Sequence, residues 1–313
     1  MSTAPTDQRS LRLEPVLSAP TLDGWLATHL AARFDRWEEE AALTEPAQVV
    51  PLPELLADDA AVLRSIHTRL TADGTPAPAA ASYLADWFAG MVAGTVGYSL
   101  ATAGAGLLVD GADLGFHLHP DGWPIRLDLQ AAALVLADHP WAASVRTEVV
   151  GSAAELLERT VQRLVDATAP IIHALHGTAR VGLAGLWNEV GDALGATLAF
   201  QRDVEATPSM VAVLAAAVGV AGAPWKARPR LEHIDSEALG RVHVAQKGGC
   251  CLAYTRPRTD VPTADDPGLA PYRRAYLARF PVDPDAPRYC STCSFRDPAD
   301  TDARQVFWHE HHA

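Results

Sequence analysis

Apolar residues recur at helical spacing through most of the first 225 positions, separated by short polar stretches that contain Pro or Gly. Residues three and four apart share one helix face, so this period indicates amphipathic helices. We predict helices over residues 21–42, 53–72, 78–100, 152–177, 178–200 and 208–224. In the clearest of them Ser152 is the N-cap and Glu155 completes a capping box, while Pro170 is expected to kink or split the helix.

Between residues 104 and 130 the hydrophobic pattern changes from helical to alternating. Apolar side chains alternate on both sides of Pro120-Asp121-Gly122, at Phe116, Leu118, Ile125, Leu127 and Leu129. Alternation around such a turn sequence predicts an antiparallel β-hairpin. A second short strand is predicted at 241–246, and a short basic helix at 272–280.

The formal net charge of −13 over 313 residues makes nucleic-acid binding unlikely as a general function. The charge is uneven, because residues 226–304 carry 13 basic side chains against 11 acidic ones. This segment is either an ordinary solvated surface or a local positive field that steers an acidic electron carrier or an anionic chelate.

Residues 87–109 form an uncharged run that is long enough to cross a bilayer. The run contains five glycines and a turn-like Ala-Gly-Ala-Gly, so we interpret it as a buried helix followed by a turn and a strand. Residues 1–20 are polar and contain no apolar signal segment, which predicts a flexible leader. The protein is therefore expected to be cytoplasmic, with at most peripheral membrane association.

The four cysteines of the chain all lie within its last quarter, at Cys250, Cys251, Cys290 and Cys293. Four thiolates can bind a [2Fe–2S] cluster, two per iron, or a structural zinc ion. Unrelated buried thiols are a further alternative, and two disulfides would require an oxidising compartment. We favour a metal site formed by all four.

The spacing of these cysteines favours iron–sulfur over zinc, which stays the alternative. Structural zinc sites usually present two Cys-x2–4-Cys pairs, and only Cys290 and Cys293 have that spacing. Side chains of adjacent residues diverge, so Cys250 and Cys251 suit a cluster better than a single ion. Gly248 and Gly249 are expected to adopt unusual dihedrals and to leave their N–H groups free to approach cluster sulfides.

The cysteine motif resembles that of the ferric-siderophore reductase (FhuF-like) family. The resemblance is carried by Cys-Cys near the C-terminus followed by Cys-x-x-Cys, and by the neighbouring Leu252, Tyr254, Arg256-Pro257 and Tyr289. Over residues 75–250 it is weaker, with Trp187-Asn188 at a matching position whose expected role is packing. The spacer at 252–289 is longer than the family pattern, and we interpret it as an insertion, which loops tolerate at little entropic cost.

The resemblance implies a reductase that passes single electrons from a [2Fe–2S] cluster to an Fe(III)-siderophore and releases Fe(II). The cluster ligands would be the four cysteines, and no acid–base catalytic residue is implied. No nucleotide-binding glycine motif is present, so a separate ferredoxin or flavin protein is the expected electron donor. The alternatives are a [2Fe–2S] electron relay or redox sensor, and a zinc-stabilised interaction protein without enzymatic activity.

The predicted fold class is α+β and mainly helical. A helical body at 21–240 is expected to carry a small antiparallel hairpin sheet, and 241–313 to form a short iron–sulfur-binding region. Basic residues near the cysteines are candidates for a docking face, namely Lys247, Arg256, Arg258 and Arg288. Histidines at strand or helix spacing are secondary candidates for metal or anion binding, at His117 and His119, His173 and His176, and in a tail expected to be disordered, His309, His311 and His312.

Overall fold

The computed structural model describes residues 11, 13, 15–17, 19–30, 47–199, 201, 204–252, 255, 264–265, 269, 271–283 and 289–312. Most of the predicted leader, the second half of the helix predicted at 21–42, and much of the spacer lie outside these residues. The fold is α+β and mainly helical, as predicted.

Helices make up most of the described chain. They are α1 (Leu22–Trp25, continued by a π-helical turn at Leu26–Leu30), α2 (Leu52–Leu55), α3 (Ala57–Ala72), α4 (Ala77–Leu84), a π-helical stretch (Ala85–Gly90), α5 (Met91–Ala103), α6 (Ala153–Thr178), α7 (Leu183–Ala196), α8 (Pro208–Val218), α9 (Pro271–Arg279) and α10 (Pro298–His312). Ser152 caps α6 by accepting the N–H of Glu155, as predicted. The other half of the predicted capping box differs, because the Glu155 carboxylate accepts the N–H of Gly151 at 3.0 Å. Helix α6 continues through Pro170, so this residue does not split it.

The strands form three small sheets in the described part of the chain. They are β1 (Gln48–Pro51), β2 (Gly106–Leu108), β3 (Leu114–Leu118), β4 (Pro124–Leu129), β5 (Ala132–Val135), β6 (Thr147–Val149), β7 (Arg230–Ser236) and β8 (Gly240–Gln246). The predicted hairpin is confirmed as β3–β4, and β1 pairs with β3. A second sheet has the order β2-β5-β6, and β7–β8 is a separate antiparallel hairpin. A single hairpin sheet was therefore too few. Strands β1, β2, β5 and β6 have only three or four residues, which is too short for alternation to be recognised. Strand β8 confirms the strand predicted at 241–246, but its partner β7 was not predicted.

Helices α1 to α8 and strands β1 to β5 contribute to one hydrophobic core. Trp25, Phe88 and Phe116 are among its largest fully buried side chains. The rings of Phe88 and Phe116 meet edge to face with centroids 5.0 Å apart, which joins the π-helical stretch to strand β3. Burying such side chains contributes about 1.5–3 kcal/mol each, so this core fixes the helices that approach the cysteines.

The C-terminal end of the chain is helical, so the expectation of a disordered tail is wrong. In α10 the side chain of Gln305 accepts the N–H of Ala245 at 2.9 Å and donates to its carbonyl at 2.7 Å. One turn later, His309 hydrogen-bonds the Ala199 carbonyl at 2.8 Å. These contacts with β8 and with the end of the helical body hold the tail in place. They link residues far apart in sequence, which local patterns cannot predict.

The structure contains no helix with both the length and the apolar character to cross a membrane, within the ranges given above.

Candidate metal centre

The two cysteine motifs come together beside the end of strand β8. Cys250 and Cys251 follow this strand, and Cys290 and Cys293 form the turn that precedes α10. The Gln246 side-chain amide donates to the Cys293 carbonyl at 2.9 Å. Backbone pairing between the two motifs adds a hydrogen bond from the Lys247 N–H to the Thr292 carbonyl at 2.8 Å. The predicted site residues therefore lie in two segments that are hydrogen-bonded to each other.

Sulfur atoms from the two motifs are in contact. Cys251 Sγ lies 3.7 Å from Cys290 Sγ, and none of the four cysteines, all in the described part of the chain, forms a disulfide. Two thiolates bound to one tetrahedral ion through bonds of about 2.3 Å are separated by about 3.8 Å. The pair therefore has the separation that two ligands of one metal require. Within the described residues, no three His, Cys, Asp or Glu side chains are arranged to hold a single ion.

Each motif also directs one backbone N–H at a cysteine sulfur. The N–H of Leu252 lies 3.4 Å from Cys250 Sγ, and the N–H of Phe295 lies 3.4 Å from Cys293 Sγ. Leu252 reaches this geometry with a left-handed φ of 58°. The thiol of Cys290 donates to Cys293, which together with the Phe295 N–H lowers the pKa of Cys293 to about 7. Such N–H donors stabilise thiolates and tune the potential of a bound cluster.

Arg296 fixes the Cys-x-x-Cys turn from its C-terminal side. Its guanidinium donates to the Cys290 carbonyl at 3.2 Å and to the Tyr289 carbonyl at 2.8 Å. The same guanidinium pairs with Asp300 at 2.6 Å. Because guanidinium donors have a fixed planar geometry, this arrangement holds the turn against the first residues of α10.

Asp192, in α7, binds the backbone immediately before the adjacent cysteines. Its carboxylate accepts the N–H of Gly248 at 2.8 Å and the N–H of Gly249 at 3.0 Å. The prediction that these N–H groups stay free for cluster sulfides is therefore wrong. The glycines are needed for close packing instead, since a Cβ at Gly248 would lie 2.3 Å from the Arg228 carbonyl oxygen. A Cβ at Gly249 would lie 2.6 Å from the Cβ of Asn188.

Asn188 is a second anchor on the same helix. Its side-chain oxygen accepts the backbone N–H of Lys226 at 2.9 Å and that of Ala227 at 3.1 Å. We expected Trp187-Asn188 to serve in packing. Trp187 is indeed buried, but Asn188 also holds the segment before strand β7, whose Arg228 lies against Gly248. Through Asn188 and Asp192, helix α7 thus holds two separate stretches of backbone, at 226–227 and at 248–249.

Lys247 lies in a buried cluster of charges, so its predicted place on an exposed docking face is wrong. Its ammonium group pairs with Glu189, which is 0% exposed, and lies 3.3 Å from Asp86. Ser82 donates to the other oxygen of Glu189 at 2.8 Å. Burial opposes the charge on Lys247, but the carboxylates of Asp86 and Glu189 together raise its pKa. Burial also raises the pKa of Asp192 to about 7.

The remaining candidates lie elsewhere in the structure or outside its described part. Arg256, Arg258 and Arg288 fall outside it. His117 contacts Arg126 and His119 stacks on Trp123, both within the β3–β4 hairpin. Three histidines bond nearby backbone carbonyls, namely His176 with Val181, His309 with Ala199 and His311 with Phe307.

Sequence reasoning did not identify Asp192, Glu189, Asp86 and Arg296 as part of the site. The first three belong to helical segments 56 to 161 positions from Lys247 or Gly248 in the chain. The only signal in the sequence is the presence of acidic residues on otherwise apolar helices. Such residues are almost never fully buried unless paired, so they mark positions where a partner is needed.

The arrangement combines four thiols from two hydrogen-bonded motifs, an N–H donor for one sulfur of each motif, and the ammonium group of Lys247, paired with Glu189, three residues before Cys250. Thiolates are ligands of zinc and of iron–sulfur clusters. A scan against protein-family models finds no match, and a search of curated proteins also finds none.

Proposed function

We propose that this chain is a ferric-siderophore reductase that uses a [2Fe–2S] cluster bound by Cys250, Cys251, Cys290 and Cys293. The observation that carries the proposal is the contact of Cys251 Sγ with Cys290 Sγ at 3.7 Å. Because each motif contributes one sulfur to this contact, the two motifs serve one site. A [2Fe–2S] cluster requires two thiolates per iron, and this pair has the separation expected for one iron.

Bound at this site, the cluster would supply single-electron transfer at a potential set by its surroundings. The substrate is Fe(III) held by the hard oxygen donors of a siderophore, which bind Fe(II) less tightly. One electron added to the chelated Fe(III) gives Fe(II), which then leaves for iron assimilation. The electron comes from a separate ferredoxin or flavin protein. We place the protein in the cytoplasm, where thiols stay reduced.

The residues of the chain position the thiolates and set the local field. Asp192 and Arg296 fix the backbone on the two sides of the site. The N–H groups of Leu252 and Phe295 donate to sulfur, which stabilises negative charge there. The ammonium group of Lys247 offsets the carboxylates of Glu189 and Asp86, with which it is paired. The sulfur-directed N–H groups favour a centre that takes up an electron, and none of these roles requires an acid or a base.

The first test is a visible absorption spectrum of protein purified without oxygen, recorded before and after dithionite, with iron and zinc analysis. We expect visible bands that bleach on reduction and about two irons per chain. Cys290→Ser should abolish them, whereas Ser291→Ala in the same turn should retain them. A colourless protein with one zinc would overturn the proposal and leave a zinc-stabilised interaction protein.

The second test separates a reductase from an electron relay or redox sensor. Dithionite-reduced protein is mixed with a ferric siderophore in the presence of a chromogenic Fe(II) chelator. We expect one Fe(II) for each electron stored, and faster reoxidation by the ferric chelate than by a generic oxidant of similar potential. Equal reoxidation rates, with no Fe(II) trapped, would favour a relay or sensor instead.

A further inference from the structure

Helix α9, within the long spacer between the cysteine pairs, is connected to the site through side chains. Arg296 binds the Cys290 carbonyl, and Asp300 accepts from both Arg296 and Arg304. Arg304 in turn donates to the Tyr276 hydroxyl of α9 at 2.8 Å. Arg296 to Arg304 spans eight residues, mostly helical, or about 12 Å. The spacer helix is therefore attached close to the cysteine turn.

Aromatic packing holds α9 on α10. Tyr276 and Phe280 each pack against Phe307, with ring centroids 5.7 Å and 5.6 Å apart. The guanidinium of Arg304 lies over the Phe280 ring at 4.5 Å. Leu277 and Phe280 are buried. Tyr276, Leu277 and Phe280 are therefore occupied by these contacts, and α9 has a defined position on α10.

The exposed charged residues of α9 are all basic. The helix contains three arginines and no acidic residue. Arg273 and Arg279 are exposed, and neither forms an ion pair within the described part of the chain. The chain as a whole has a net charge of −13, so this helix is a local exception. A positive patch attracts an acidic partner and repels positively charged surfaces.

Exposed apolar side chains accompany these arginines. Seven large hydrophobic residues are exposed among the described residues, and three of them, Tyr272, Val282 and Phe295, lie between positions 272 and 295. Tyr272 is 41% exposed on α9, and Phe295, two residues after Cys293, is 61% exposed. Aromatic residues and arginine are the types enriched at protein–protein interfaces. A convex helix with this composition suits a protein surface better than a small chelate, which binds in a concave pocket.

We infer that the exposed surface of α9, which carries Tyr272, Arg273 and Arg279, is the docking surface for an acidic protein electron donor. This inference rests on the proposed function and adds to it the place and the charge of the donor. On docking, one electron passes from the donor to this protein. The donor is oxidised and this protein is reduced, each by one electron. The long spacer therefore supplies the surface that recognises the donor.

Binding can be measured directly with a small acidic [2Fe–2S] ferredoxin as the probe. Fluorescence anisotropy of the labelled ferredoxin is followed as the protein is added, over ionic strengths of about 0.02 to 0.5 M. We expect the affinity to fall steeply with salt. Arg273→Glu with Arg279→Glu should weaken binding at low salt by about tenfold or more, and the corresponding pair of glutamine substitutions should give a smaller loss.

The matched control reverses two arginines elsewhere on the surface, Arg163→Glu with Arg180→Glu, which changes the net charge equally. We expect less than a twofold effect on affinity from this control. Reduction by the reduced ferredoxin should slow in the α9 variant, while reduction by dithionite should not. No binding by the unmodified protein, or equal losses in the α9 and control variants, would overturn the inference.

Two outcomes separate this inference from the proposed function. A protein without visible bands or iron would contradict the proposed function, whatever the result of the binding measurement. The second outcome is a protein that contains the cluster and whose α9 variant binds ferredoxin normally but reacts more slowly with the ferric siderophore. This outcome is consistent with the proposed function. In that case the surface serves the chelate, and the inference about the donor is wrong.

Discussion

Asp192 accepts the backbone N–H of Gly248 at 2.8 Å, two residues before the first cysteine. The same carboxylate accepts the N–H of Gly249. Asp192→Ala would leave the buried N–H of Gly249 and the part-buried N–H of Gly248 without this partner, at a cost of about 1–3 kcal/mol for a buried donor. We expect the free energy of unfolding, measured in urea, to fall by about 3 kcal/mol and the metal content to fall with it.

Asp192→Asn is the informative companion to that variant. The asparagine oxygen can still accept one N–H, but its amide group faces the other donor. We expect the free energy of unfolding to fall by less than it does in the alanine variant. If alanine at this position leaves both stability and metal content unchanged, the carboxylate does not hold the cysteine segment.

The two glycines before the cysteines are expected to be intolerant of any side chain. Gly249→Ala would place a Cβ 2.6 Å from the Cβ of Asn188, and Gly248→Ala would place one 2.3 Å from the Arg228 carbonyl oxygen. Overpacking of this kind costs about 1–3 kcal/mol, and more where backbone must move. We expect Gly248→Ala to be the more damaging, measured by urea unfolding and metal content.

Gly185→Ala provides the control for these substitutions. Gly185 lies in helix α7, and a Cβ there meets nothing within 4 Å. Alanine is the better helix former by about 1 kcal/mol, so this variant should be as stable as the unmodified protein or more so. Equal losses at all three glycines would indicate that close approach to Asn188 and Arg228 is not the cause.

The secondary structure could be predicted from the sequence where the contacts that determine it are local. Helix α6 was predicted from its apolar stripe, and Ser152 was identified as its cap from the acidic residue three positions later. The β3–β4 hairpin was predicted from alternation around Pro120-Asp121-Gly122. In each case the residues that decide the structure lie within a few positions of one another.

The cysteine positions suggested a shared site, but the residues that support it could not be predicted. Lys247 looked like an exposed basic residue near the cysteines, and only the fold reveals Glu189 as its partner, 58 positions away. Gly248 and Gly249 were assigned a conformational role, whereas their structural role is close packing against α7. The C-terminal histidines looked like a disordered tail because the contact between Gln305 and Ala245 joins residues 60 positions apart.

Removing the positive charge from the buried cluster should be strongly destabilising. Lys247→Met would leave Glu189, which is fully buried, without its counter-ion. Breaking a buried ion pair by removing one partner costs about 3–5 kcal/mol. We expect a loss of this size in urea unfolding, with lower metal content.

The double variant Lys247→Met with Glu189→Gln tests the cause of that loss. If the cost comes from the unpaired carboxylate, neutralising Glu189 should restore much of the stability. The glutamine can still accept from Ser82, which donates to Glu189 at 2.8 Å. Additive losses in the double variant would contradict this explanation and would point to the packing of the lysine side chain.

Acid should destabilise the β7–β8 hairpin through His243. This side chain is 2% exposed, and it bonds the Glu232 carbonyl at 3.0 Å. Burial is the main cause that lowers its pKa from 6.5 to about 4, and the nearby His233 and His309 add to the effect. The unfolded chain therefore binds a proton at a higher pH than the folded protein does. Stability should fall as the pH decreases from about 6.5 to about 4, by about 3 kcal/mol.

His243→Gln tests this assignment, because the amide can donate to the Glu232 carbonyl but does not titrate. The free energy of unfolding is measured in urea at several pH values between about 4 and 7. In this variant it should decrease less steeply with falling pH, by up to about 1.4 kcal/mol per pH unit. His176→Gln, on the exposed end of α6, is the matched control and should keep the slope of the unmodified protein. If the His243 variant keeps that slope as well, its imidazole is not the group that titrates, and the neighbouring His233 becomes the residue to substitute next.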